Sequence, residues 1–85
     1  MIQQTSFEAF QALENRGEKQ MMVYHALEAL GEACNLEVAR HLNRAINTIT
    51  PRMNELVKAG LVEEAGKKVN PITNKNVIYW RITEL

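Results

Sequence analysis

Between Ile46 and Lys58 the chain sets out the uncharged hydrogen-bonding residues Asn47, Thr48, Thr50 and Asn54, interleaved with Arg52 and Lys58. Asparagine carries a donor and an acceptor side by side, threonine a hydroxyl and a methyl, and arginine a planar fork of donors. Displayed together on one side of a helix, such groups match the edges of base pairs in a major groove. Asparagine suits adenine, the threonine methyl suits thymine, and arginine suits guanine or a phosphate. Asn35 and Arg44 upstream, and Lys67, Lys68, Asn74 and Lys75 downstream, could add contacts of the same kind.

Other chemistries find little material. The chain has no aspartate, its one serine is Ser6, and no glycine-rich phosphate loop is present. His25, Cys34 and His41 do not have the spacing of a structural zinc site. No catalytic residue, metal ligand or cofactor is assigned, and the chain is not expected to be an enzyme.

The elements that must carry these groups follow from periodicity. Thr5-Ser6 can cap a short helix whose Phe7, Phe10 and Leu13 share one stripe, ending before Gly17. A second helix is expected from Glu18 to Leu30, with Val23, Ala26, Leu27 and Leu30 on its buried side and Gly31 as its stop. Ala33-Cys34 reads as a short extended piece, and Asn35 as the cap of a helix from Leu36 to Leu42. After a tight turn at Asn43-Arg44-Ala45, a fourth helix runs from about Ile46 or Asn47 to Ala59 and stops at Gly60, with Ile49, Met53 and Leu56 facing the core. Pro51 lacks a donor, so the effective start of this helix is expected late, with Asn47 or Thr50 as the cap and residues 44–47 as a looser lead-in. Leu61-Val62 and Val77–Ile82 then read as two strands. The polar, lysine-bearing stretch between them must contain the hairpin connection, and its tip, Asn70 to Asn76, has little to bury and is expected to be mobile.

The bulk numbers agree with one small globular domain over residues 1–85, with residues 1–16 as an appended helix and 17–83 as core and hairpin. Zero formal net charge hides a polarity: residues 1–37 hold two basic residues against six glutamates, whereas residues 38–83 hold eight against three. A basic half is what a polyanion requires. A single cysteine excludes an internal disulfide and fits a reducing compartment. The start of the chain has no secretory pattern, and no stretch is apolar enough to span a membrane, so the cytoplasm is the expected location.

Taken in order, these elements resemble the winged helix-turn-helix family. The string from Leu42 through Thr48-Ile49-Thr50-Pro51-Arg52 and Leu56 to Gly60-Leu61-Val62 is similar to the recognition helix of MarR-like regulators. The chain also resembles short winged-helix proteins of bacteria and their phages. Pro51 departs from the MarR-like pattern, displacing the basic residue to Arg52, and the long dimerisation helices of those proteins are absent. The hairpin ending Trp80-Arg81-Ile82 is similar to that of Z-DNA-binding winged helices, but Thr50 and Asn54 stand where those carry Asn and Tyr.

The resemblance implies an α+β fold: a three-helix core, a short N-terminal helix and a C-terminal two-stranded wing. It implies binding of double-stranded DNA by a transcriptional regulator, with the recognition helix in the major groove and the wing on the backbone. The DNA-contact set is then Asn35, Arg44, Asn47, Thr48, Thr50, Arg52, Asn54, Lys58, Lys67, Lys68, Asn74 and Lys75. Phe7, Phe10 and Leu13 are candidates for a homodimer contact, and Cys34 for a packed thiol or a redox sensor. The competing reading is a winged-helix module that binds a host or regulatory protein, since fold alone does not dictate function.

Overall fold

The computed structural model of the chain describes residues 17–84. The expected N-terminal helix and the proposed dimer contacts Phe7, Phe10 and Leu13 lie outside the described residues. Helix α1 spans Glu18–Leu30, strand β1 Glu32–Ala33, helix α2 Asn35–Leu42, helix α3 Ile46–Lys58, strand β2 Val62–Asn70 and strand β3 Lys75–Ile82. The architecture is α+β, with three helices beside an antiparallel sheet of order β1-β3-β2.

The apolar stripes meet where their periods place them. Val23 and Leu27 of α1, Val38 of α2, and Ile49, Met53 and Leu56 of α3 are each sealed from solvent. Val62, Trp80 and Ile82 close this core from the sheet side. Fully burying a side chain of this size contributes roughly 1.5–3 kcal/mol. The helix ends are set by residues that tolerate left-handed backbone. Gly31 closes α1 at φ +81 with its N–H on Leu27 O at 2.8 Å, and Asn43 closes α2 at φ 55.

Three details differ from the sequence reading. The sheet has three strands rather than two, because Glu32 and Ala33 pair with Arg81 and Trp80 along the open edge of β3. That edge would otherwise leave backbone donors and acceptors without partners, and Ala33 gains burial by lying against it. Helix α2 includes Asn35, and the cap position passes to Cys34, whose N–H is accepted by the Glu37 carboxylate at 3.2 Å. Helix α3 begins at Ile46 and runs through Pro51, so neither Asn47 nor Thr50 caps it. Proline leaves the carbonyl four residues back without a helical donor. That carbonyl belongs to Asn47, an exposed residue, so water can satisfy it and the helix continues.

The long hairpin has one irregularity. Glu64 pairs with Trp80 and Gly66 with Tyr79, which makes Ala65 an extra residue in β2. Gly66 takes φ +135 there, a backbone region closed to residues with a Cβ. Beyond the bulge the pairs are Lys67 with Ile78, Lys68 with Val77 and Asn70 with Lys75.

Candidate nucleic-acid interface

Helix α3 has an inward stripe, an outward face and two edges. With Ile49, Met53 and Leu56 buried, the ~100° step per residue turns Asn47, Pro51, Asn54 and Lys58 outward, and all four are exposed. The edge towards α1 is closed by an internal network. Arg52 Nε lies 2.9 Å from Glu55 Oε1, and Gln20 Nε2 of α1 donates to the same oxygen at 3.0 Å. Arg52, expected to reach DNA, therefore has its charge matched by its own helix. Thr48 lies on this edge too, half-buried. The opposite edge meets α2. Asn35 Nδ2 donates to Thr50 Oγ1 at 3.3 Å, and the Thr50 hydroxyl donates to Ile46 O at 3.2 Å. Asn35 and Thr50 thus hold each other across the two helices, and neither presents a fully free side chain.

The hairpin separates its two lysines. Directly paired residues share a face, so Lys68 lies with Val77, Asn70 and Tyr79, and Lys67 with Ile78 and Trp80. On the first face Lys68 sits 4.9 Å from the centre of the Tyr79 ring and forms an ion pair with Glu32. Arg81 Nε pairs with Glu63 Oε2 at 2.6 Å on the same face. Lys68, expected as a DNA contact, is committed to the sheet instead.

The turn of the hairpin hangs on one buried residue, where the sequence offered little to bury. Asn70 is 1% exposed. Its Nδ2 points to Cys34 Sγ at 3.3 Å and Tyr79 Oη at 3.5 Å, and its Oδ1 accepts from the N–H groups of Ile72 at 2.9 Å and Thr73 at 3.2 Å. Burial pushes the Tyr79 phenol above its ordinary pKa, against the opposing pull of the Asn70 hydrogen bond. The phenol is therefore a neutral hydroxyl. Asn74, another expected contact, adopts φ 56 and donates its N–H to Asn70 O at 2.7 Å, so its residue type also serves the turn.

What remains uncommitted forms a frame. Among the described residues no carboxylate pairs with Arg44, Lys58, Lys67 or Lys75. Arg44 stands just before α3, Lys58 ends it, and Lys67 and Lys75 lie on the hairpin beside it. Between α2, α3 and the hairpin runs a groove of about 550 Å3, with Asn54 and Lys75 among its polar positions and Leu36, Ile46, Ile78 and Trp80 along its walls. No family model and no curated protein matches this chain.

No helix among the described residues is long and apolar enough to cross a membrane. Nor do the described residues bring together three or more His, Cys, Asp or Glu side chains that could hold a metal ion. The residues missed from the sequence are Gln20, Glu55 and Asn70. The three-residue spacing of Arg52 and Glu55 was a visible signal for their pairing. Asn70-Pro71 was a visible signal for a turn, but nothing local announced that the asparagine would be buried.

Proposed function

We propose that the chain is a winged helix-turn-helix domain that binds double-stranded DNA, with α3 in the major groove and the β2–β3 hairpin as the wing, and that it acts as a transcriptional regulator of bacterial or phage type. The observation that carries this reading is the outward face of α3. Its Asn47 and Asn54 are exposed and uncharged, and the cations around them, Arg44, Lys58, Lys67 and Lys75, have no carboxylate partner among the described residues. Asparagines can read adenine in the groove while the cations meet the phosphates at its sides.

The rival occupant of this face is a protein. A protein-binding α3 would display several leucines or aromatic residues outward, and its exposed positions are instead Asn47, Pro51, Asn54 and Lys58, with Ile46 at its first turn the one large apolar side chain. DNA is the better match.

Fluorescence anisotropy on random-sequence duplexes at rising salt tests the proposal. Four phosphate contacts give a log–log salt slope of about −3.6. Absence of binding to any duplex at low salt would overturn it, and selection from a random duplex pool would then name the sequence preferred by a protein that does bind.

A further inference from the structure

Pro51 is the residue of the outward stripe whose presence the fold does not account for. It lies inside α3, past the first turn, in which a missing N–H would cost nothing. Inside a helix proline is the least favourable residue, and packing gives nothing back here, because the side chain is exposed. A local rule broken without a structural return points to a use for what the residue presents outward. What it presents is a saturated ring with no polar atom. In a B-DNA major groove one base offers an apolar group to such a surface: thymine, through its C5 methyl. The neighbours on the stripe agree. At ~100° and ~1.5 Å per residue, Asn47, Pro51 and Asn54 share one side of the helix and follow at steps of about 6 and 4.5 Å. Base pairs rise by about 3.4 Å, so the three side chains span about three base-pair steps. The residues suited to a G·C pair are held back: Arg52 is bound to Glu55 at 2.9 Å, and no carboxylate stands on the stripe to accept from cytosine. Lys58 ends the helix one turn beyond, among the cations that would meet phosphate.

We propose that α3 reads a short run of A·T pairs, with Asn47 and Asn54 on adenines and the Pro51 ring packed on a thymine methyl between them. Pro51 is then a specificity-determining residue that lowers the stability of its own helix. This assignment rests on the DNA-binding reading of the same face. A proline that serves the fold and a proline that reads a methyl differ in what their removal does. Removing the first weakens the fold, whereas removing the second strengthens it and erases one preference in the bound sequence.

The test starts from the duplex that selection from a random pool yields. Each of its thymines is replaced singly by deoxyuridine, which removes the methyl and keeps both the pairing and the O4 acceptor. Anisotropy should find a thymine whose methyl is worth about fourfold in affinity to the wild-type chain, as expected for burial of one such carbon. Pro51→Ser restores the helical donor and removes the ring. It should raise the urea midpoint, and its affinity should change by less than about twofold on that same replacement. Asn54→Ala should keep the fourfold response to the methyl and relax the choice of base at a neighbouring position. A selected core without A·T pairs, no thymine sensitive to deoxyuridine, or a response that survives in Pro51→Ser would overturn the assignment and leave DNA binding in place. A Pro51→Ser chain less stable than the wild type would give the proline a structural return and overturn its role as a reader. If no duplex binds at all, the DNA reading fails and the assignment fails with it.

Discussion

Lys67 and Lys68 are neighbours in the chain, yet the hairpin puts them to different uses. On the face that holds Tyr79, Lys68 lies over the ring and meets Glu32, and Arg81 meets Glu63. On the face that holds Ile78 and Trp80, Lys67 has no carboxylate partner among the described residues, and exposed Val69 lies two residues further along. The first face is satisfied internally at Lys68 and Arg81 and leaves only Lys75, beside the turn, unmatched, while the other leaves charge and apolar surface available to a partner. The basic excess counted along the sequence is therefore an overestimate of what a polyanion can meet. Of the expected cationic contacts, Arg52 and Lys68 are matched within the fold, and Arg44, Lys58, Lys67 and Lys75 remain.

The most damaging change should be one beneath both faces. Leu56 is sealed in the core that carries the hairpin and α3 alike. Leu56→Ala should cost about 2–5 kcal/mol through lost burial and the cavity left behind. A small domain holds only ~5 kcal/mol or slightly more, so urea denaturation should find this variant close to unfolded.

The next change breaks one face only. Asn70→Ala leaves the N–H groups of Ile72 and Thr73 and the Tyr79 hydroxyl without their partner. That should cost about 1–3 kcal/mol in the same denaturation experiment. Hydrogen exchange should accelerate at Ile72 and Thr73 while the amides of α1 keep their protection. Unchanged exchange at those two residues would show that the turn backbone alone holds the tip.

A smaller effect should sharpen the contrast between the two lysines. Lys67→Ala should reduce the magnitude of the salt slope of duplex binding by about 0.9, one phosphate's share. Lys68→Ala should leave that slope unchanged and lower stability by no more than ~1 kcal/mol, the ordinary worth of an exposed ion pair. Equal changes in slope would mean that both faces meet the duplex. The smallest expected effect belongs to Arg52. Arg52→Ala should shift stability by less than ~0.5–1 kcal/mol, and anisotropy should show it weakening DNA binding less than Arg44→Ala does. A larger loss with Arg52→Ala would mean that the pair with Glu55 opens on the duplex.

The parts of the fold that were legible in the sequence are those with a period or a backbone requirement of their own. Ile49, Met53 and Leu56 repeat at helical spacing, and Gly31 closes α1 with the positive φ for which glycine is suited. Strand β1 has only two residues, too few for a period, and it exists because β3 offers an open edge. Asn70 was misread because polarity in a turn-rich stretch normally signals exposure. Its burial depends on Cys34, 36 positions away, and on Tyr79 across the hairpin. The start of α3 at Ile46 is one of the two that its pattern offers, whereas a cap at Asn47 or Thr50 does not form, because the proline penalty is tolerable where the released carbonyl belongs to an exposed residue. In the candidate interface, residue types identified the outward face of α3, but only side-chain geometry could divide the cations into matched and unmatched.

The extra residue at Ala65 guards that division. Strand side chains alternate in direction, so one inserted position would exchange inside for outside along the rest of β2 if the bulge did not drop it from the pairing. If Ala65 instead paired with Tyr79 and the bulge were lost, with the pairing of Glu64 with Trp80 kept, Lys67 would turn towards Tyr79 and Lys68 towards the α3 side. Val69 would take the side of the sheet that Asn70 now holds, and Asn70 would leave it. The composition of the hairpin would be untouched, yet its hidden anchor and its exposed charge would trade places. Deleting Ala65 would keep every partner beyond it, whereas a slip by one pair at this point would alter the molecule's outward chemistry more than most substitutions could.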